Sequence, residues 1–262
     1  MVRMSVFTDD NSDKQDDTGV PVPVPGTVSR IVSLVPSLSE SVAATLPGAL
    51  TGATDWCAHP PGLDVTRVRG TKNPDLDAIL RLRPDVVLAN AEENRAPDIE
   101  ALRAAGVPVW VTRIETLDQA FSSLARMFTH ACRTAVPAWL TRAEEVWREP
   151  YRGPRRTAVI PIWRRPWMVV GRDTFTGDVL ARLGVDNLYA GHPERYPKIP
   201  LDELVAARPD LVVLPDEPYA FSDTDGPECF PGLRSVPVSG RLLTWYGPSL
   251  VQARAELERA LR

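Results

Sequence analysis

Residues 76–88 read Leu76-Asp77-Ala78-Ile79-Leu80-Arg81-Leu82-Arg83-Pro84-Asp85-Val86-Val87-Leu88: a short apolar helix, an Arg-Pro-Asp junction and a run of Val and Leu. Proline cannot continue a helix, and an unbroken aliphatic run suits a strand covered on both faces, so the stretch predicts one half of an α/β unit. It occurs twice. Leu201 and Asp202 open a second copy 125 residues later, which passes through Arg208-Pro209-Asp210 into Leu211-Val212-Val213-Leu214. A single such junction is common in parallel folds, whereas two in phase predict two similar α/β lobes.

A chain of 262 residues has room for two modest cores. With 44% hydrophobic and 24% charged residues, its composition is that of a globular protein. A net charge of −4 offers no basic field for phosphate backbones, which sets nucleic acid aside. The three cysteines, Cys57, Cys132 and Cys229, lack metal-type or redox-type spacing and read as free thiols. Met1 to Gly26 has no apolar run of signal-peptide length and carries five aspartates, and no lipid-attachment cysteine or membrane-spanning run is present. The expectation is a cytoplasmic monomer as the sequence stands, and an extracytoplasmic protein if the true start lies upstream.

In chain order, Val6 to Val24 is predicted as a loose hairpin whose prolines confine it to a sheet edge or an arm. Strand Arg30–Val35 leads to a helix over about 38–46, with Ser37 and Glu40 as a capping box. A strand over 49–54 ends in the loop Asp55 to Pro61, and Pro74 is expected at the first helical position of the first repeat copy. Helical pattern fills about 116–151 with a break at Pro137. The second lobe opens on strand 157–163, places a helix over about 174–183 and reads as loop over 215–232. Arg241–Trp245 is expected as the last strand, and Pro248 as the start of a final helix. The domain boundaries expected are an arm over 1–27, a lobe over 28–115, a helical linker over 116–152 with its backbone helix from about 136, and a lobe over 153–262.

Catalytic patterns are absent: there is no Gly-rich phosphate loop, no nucleophile elbow and no paired His or Cys metal signature. Cys57 and His59, two apart in one loop, are two metal-capable ligands and do not by themselves make a site. Aromatic residues gather instead at predicted strand ends and in loops. Trp56, Trp163, Trp167, Tyr196, Trp245 and Tyr246 fall where parallel sheets place binding crevices, and flat rings there suit a large, flat, partly apolar ligand. Trp110, Trp139 and Trp147 are expected in the core.

The run Arg30-Ile31-Val32-Ser33-Leu34-Val35-Pro36-Ser37-Leu38-Ser39-Glu40 carries a resemblance together with Pro60-Pro61, Gly70-Thr71-Lys72-Asn73-Pro74 and both Arg-Pro-Asp junctions. Pro166-Trp167-Met168, Gly171-Arg172-Asp173-Thr174 and Trp245-Tyr246-Gly247-Pro248 extend it. Together these resemble the helical-backbone substrate-binding proteins of ABC importers, in particular their cobalamin-binding branch, whose relatives bind siderophores and haem. The resemblance spans about Val20 to Arg262. It implies a class III periplasmic-binding-protein fold, with two Rossmann-like lobes of parallel sheet joined by a long helix, ligand in the inter-lobe cleft and no catalysis. It implies no intrinsic cofactor, and a ligand that is cobalamin or another metal chelate. Trp56 and Tyr196 match positions that stack on the corrin, Asn90 matches a further pocket position, and Trp163, Trp167, Trp245 and Tyr246 match cleft walls. Asp77 and Asp202 match the acids that dock onto permease arginines, although acids in a first helical turn also favour the helix dipole.

The expected function is therefore delivery of a chelate to an ABC transporter. Three alternatives stand beside it. One is a ferric-siderophore or haem binder of the same fold, in which Arg164 and Arg165 pair with an anionic chelate. Another is a cytoplasmic corrinoid carrier uncoupled from transport, and the third a cytosolic two-lobed α/β enzyme with a nucleotide-like substrate.

Overall fold

The computed structural model describes residues 14–262. They divide into two compact units, one taking in the chain through Arg113 and again Phe121–Ala138, the other Ile114–Ala120 and Trp139–Arg262. The first unit runs β1 (Ile31–Ser33), α1 (Pro36–Thr45), β2 (Leu50–Ala53), β3 (Thr66–Arg67), β4 (Arg69–Gly70), β5 (Asn73–Pro74), α2 (Leu76–Leu82), β6 (Val86–Asn90), α3 (Ala96–Ala104) and β7 (Val109–Thr112). Its five-stranded sheet has the order β3-β2-β1-β6-β7 with every pairing parallel, and β4 and β5 form a small antiparallel ribbon.

Helix α4 (Leu117–Arg126) continues as a single π-helical turn over Met127–Ala131, and α5 (Ala138–Arg148) follows after a break at residues 132–137. The second unit then runs β8 (Arg156–Val159), β9 (Pro161–Trp163), β10 (Met168–Val169), α6 (Phe175–Arg182), β11 (Val185–Asn187), α7 (Leu201–Ala206), β12 (Leu211–Pro215), β13 (Ser235–Val238), α8 (Gly240–Thr244) and α9 (Leu250–Leu261). Its main sheet, β11-β8-β12-β13, is again all parallel, while β9 and β10 make an antiparallel hairpin. All five residues of β6 and all five of β12 are buried, as unbroken Val/Leu runs require when helices cover both faces. Each unit has its own core: Val32, Ile79, Val87 and Leu102 are central to the first, Val159, Leu204, Val212 and Phe230 to the second.

The repeated junction does the same physical task in both copies. Arg83 and Arg208 each adopt φ 47°, a left-handed turn that ends the helix, and the proline beyond blocks its continuation. The aspartate then ties down the entry of the neighbouring strand. Asp85 Oδ2 accepts the backbone N–H of Ser29 and of Arg30, each at 2.8 Å, and Asp210 Oδ2 accepts the N–H of Thr157 at 2.7 Å and its hydroxyl at 2.8 Å. For Asp85, partial burial raises the carboxyl and the bonds from Ser29 and Arg30 outweigh it, leaving the group below its ordinary value. Asp210 is held low chiefly by the Thr157 amide.

Several local expectations are corrected. Pro36 takes the first position of α1, so the cap residue is Val35, without a side-chain bond, and Ser37 lies inside the helix. Pro74 belongs to β5, and Asp75 caps α2 by accepting the Ala78 N–H at 2.9 Å. Residues 241–245, expected as a strand, lie mostly in α8, and the last strand is Ser235–Val238. Val6 and Phe7 of the expected hairpin lie outside the described residues. Within them, the arm turns tightly at Asp16, and the N–H of Asp17 donates to the Val111 carbonyl at 3.1 Å on the sheet's edge strand. Asp16 and Asp17 are paired with Arg103 and Arg126, and Trp110 and Trp147 are buried core residues with Trp139 half-buried.

Candidate functional site

In an open parallel sheet, ligands bind beyond the carboxyl ends of the strands, where successive connections leave in opposite directions. That place lies between β1 and β6 in the first unit and between β8 and β12 in the second.

In the first unit the loops after β1 and β6 are joined by Asn94, whose amide donates to the carbonyls of Leu34 (3.2 Å) and Thr71 (3.0 Å). Asn90, at the end of β6, is 3% exposed. Its side-chain oxygen accepts the N–H groups of Glu92 and Glu93, and its amide donates to Thr112 Oγ1 at 3.1 Å. Its polar atoms are thus committed to shaping the turn. Beyond β2, Trp56 stands 69% exposed. The loop beneath it is pinned by Arg67 Nη1, which donates to the Thr54 and Cys57 carbonyls, each at 3.0 Å. The fully buried Cys57 thiol adds a second anchor, lying 2.9 Å from Ser39 Oγ and 3.1 Å from Thr54 Oγ1. Burial pushes that thiol up, so it stays protonated. His59 is half-buried, and among the described residues no group of three or more metal-capable side chains comes together.

The second unit gathers its aromatics. The β9–β10 hairpin places Trp163 43% exposed and Trp167 half-buried. The segment after β12 folds back over this hairpin. Tyr219 meets Trp163 edge-on at 5.7 Å between ring centroids, while Phe221 stacks on Trp167 at 6.0 Å and Phe230 meets it edge-on at 5.3 Å. Phe221 and Phe230 are buried in the second core, so the half-buried Trp167 rests on buried rings, while the exposed Trp163 rests on the half-buried Tyr219. Arg164, at the hairpin tip, binds this loop: it pairs with Asp225, with Glu228 at 2.9 Å, and lies over the Trp167 ring at 5.4 Å. Asp225 also accepts the Tyr219 hydroxyl at 2.8 Å. The Arg164 bond and the Gly226 N–H hold Glu228 down at about 2.

Tyr196 lies on the segment that borders the same hairpin. Backbone bonds from Val169 to Pro197, Gly171 to Arg195 and Ile199 to Trp167 align residues 195–199 against 167–171. The approach is close enough that a Cβ on Gly171 would lie 2.2 Å from the Glu194 carbonyl, so only glycine fits. Trp163, Trp167 and Tyr196 are therefore brought to one hairpin. Trp245 and Tyr246, expected as walls, are each 7% exposed: Trp245 Nε1 donates to Glu217 at 2.9 Å and Tyr246 packs edge-on against Phe175. Asp77 and Asp202 are exposed in the first turns of α2 and α7.

Reading the sequence missed Tyr219, Phe221 and Phe230. Three rings spaced through a stretch otherwise made of turn formers, where turn residues alone would suffice, were the available signal.

A family model described as "Periplasmic binding protein" matches residues 31–225. Among curated proteins, the vitamin B12-binding protein of Pectobacterium carotovorum is 23% identical over 174 residues, 62% of this chain and 62% of that protein. The chain thus spans about three fifths of the length of the curated relatives it matches. Among solved structures, the periplasmic vitamin B12 binding protein of Vibrio cholerae superposes with a TM-score of 0.75 at 18% identity, over 89% of this chain and 96% of that one. A periplasmic heme-binding protein from Pseudomonas aeruginosa superposes with a TM-score of 0.72 at 25% identity, over 89% and 92%. These likenesses agree with the two all-parallel sheets described above.

Proposed function

We infer that this chain, which belongs to the periplasmic binding protein family, is a substrate-binding protein of ABC import whose ligand is a flat metal chelate of the cobalamin class. The family is one of binding proteins and not of enzymes. The observation that carries the ligand class is the aromatic shelf at the carboxyl edge of the second sheet, where Trp163 and Trp167 are propped by Tyr219 and Phe221. Rings fixed in this way offer a large apolar face with little ordering left to do on binding. Trp56, exposed on a pinned loop, supplies the corresponding face of the first unit. Tyr196 belongs to the second face, and Asn90 acts by shaping its turn.

Delivery to a permease is the second half of the proposal. Asp77 and Asp202 occupy matching places in the two repeat copies, exposed and in a first helical turn, as carboxylates that steer docking onto arginines would be. Among the described residues no helix is long and apolar enough to cross a membrane. The relatives' names place those proteins in the periplasm, and we propose the same side of the membrane for this one. Mass spectrometry of the N-terminus of protein taken from fractionated cells tests that; recovery from the cytoplasm alone would reject it.

For the ligand, cyanocobalamin titrated into the purified protein is expected to give saturable heat and to quench tryptophan fluorescence. No heat, no quenching and no retained colour after gel filtration would remove cobalamin.

A further inference from the structure

Resting on the reading of the second unit's rim as a chelate-binding face, we propose that Arg164, Asp225 and Glu228 set its charge selectivity. Arg164 serves as the loop's internal counter-ion and not as an anchor for ligand, so the rim takes neutral or cationic chelates and turns away anionic ones.

By residue type, Arg164 and Arg165 together suggest a grip for an acidic ligand. The geometry removes the first of them from that role. The Arg164 side chain is 13% exposed, its Nη1 is engaged by two carboxylates, its Nη2 donates to Cys229 Sγ at 3.2 Å, and its plane lies over Trp167. Asp225 is held from a second side by the Tyr219 hydroxyl, and Glu228 accepts the Gly226 N–H at 2.5 Å. The edge left to a third carboxylate is that of Nη2 and Nε, where Nη2 is held by Cys229 and Nε is buried without a partner, and a carboxylate brought there would meet Asp225 and Glu228 at close range. The wider loop adds to the repulsion. Residues 216–232 hold Asp216, Glu217, Asp223, Asp225 and Glu228 and no Lys or Arg, against Arg164 and Arg165 at the hairpin tip and the exposed Lys198 on the segment bridged to Met168. Two of those acids are hydrogen-bonded, Asp216 to the Gly240 N–H and Glu217 to Trp245, and their charges remain part of the local field. A surface of stacked rings under a negative field suits a ligand with a broad apolar plane and no surplus negative charge.

The test compares ligands of different charge on the intact chain: neutral cyanocobalamin, cationic aquocobalamin, haemin with its two propionates, and a trianionic ferric tris-catecholate. Tryptophan quenching and calorimetry are read at low and at moderate salt. The wild type is expected to bind the two cobalamins at least about tenfold more tightly than either anion, with anion binding strengthened by salt as repulsion is screened and cyanocobalamin binding nearly unchanged. Asp225→Asn combined with Glu228→Gln keeps the shape of the loop and should shift the anion-to-neutral affinity ratio by about tenfold toward the anion. A purely structural role for these carboxylates would weaken all ligands alike and leave the ratio where it was. Anions that bind the wild type as tightly as cyanocobalamin, or weaken with added salt, would overturn the charge rule while leaving chelate binding intact. Absence of binding by every probe would overturn both.

Discussion

In the first unit the ring at the sheet's carboxyl edge stands alone among the described residues. Trp56 is 69% exposed, and what orders it is the backbone beneath, held by Arg67 and the buried Cys57 thiol. In the second unit the rings order one another: Trp163 rests on Tyr219, Trp167 on Phe221 and Phe230, and the last two are core residues. The proposed binding face and the fold are separable in one unit and shared in the other, although both units rest on the same junction and the same kind of sheet.

Trp167→Ala gives the largest expected effect. It removes a ring that packs against the second core as well as facing the rim, so stability of the second unit should fall by about 3 kcal/mol, measured by urea unfolding followed by circular dichroism. A loss below about 1 kcal/mol would mean that the shelf does not belong to the core. Trp56→Ala should behave in the opposite way. Its ring has little to lose on folding, so stability stays within about 0.5 kcal/mol while cyanocobalamin affinity falls about tenfold. Equal losses of stability in the two variants would erase the comparison.

How much of this the sequence disclosed follows the same division. The parallel cores were legible because β6 and β12 are largely aliphatic runs, each opened by an Arg-Pro-Asp junction, and the covalent limits of proline make that pattern hard to satisfy otherwise. Exposed or half-exposed rings next to regular strands, Trp56 and Trp163, were legible as candidates for the same reason. The shelf was not. Phe221 and Phe230 lie in irregular backbone with no period to reveal that they turn inward. Arg164 advertised a positive charge, and only the folded loop shows the two carboxylates that neutralise it. The short run Arg241 to Trp245 failed for a simpler reason: five residues, three of them apolar, fit a strand or a buried turn of helix equally well.

The junctions, where the units agree, give a smaller and symmetric effect. Asp85 and Asp210 both titrate below their ordinary 3.8 in the folded protein. A depressed carboxyl binds its proton later in the folded than in the unfolded chain, so each contribution is complete above about pH 4 and is lost as pH falls through the lowered value. Urea midpoints should therefore drop more steeply as pH falls below about 4 for the wild type than for an Asp85→Asn, Asp210→Asn double variant. Parallel curves would show that the aspartates contribute no pH-dependent stability. Glu228 adds to the same acid loss, from its ordinary 4.5 down to about 2, in both proteins, so the difference between the curves isolates the junctions.

The smallest stability effect is expected where the two copies of the repeat meet solvent. Asp77 and Asp202 are exposed, and neither caps its helix with a side-chain bond, because Asp75 does so in α2 and the cap residue of α7 is Pro200. Asp77→Lys and Asp202→Lys should then each change stability by no more than about 0.5 kcal/mol, chiefly through the helix dipole. If the acids steer a permease, the double variant should still bind cyanocobalamin as the wild type does while its association with permease-containing membranes slows severalfold, most clearly at low salt. One reversal of charge per unit also tests whether the units are equivalent in docking. Equal single-variant losses would match the symmetry of the junctions, and a loss confined to one copy would extend to the outer surface the inequality seen at the rims. Unaltered association of the double variant at low salt would leave these aspartates with no role beyond the first helical turn.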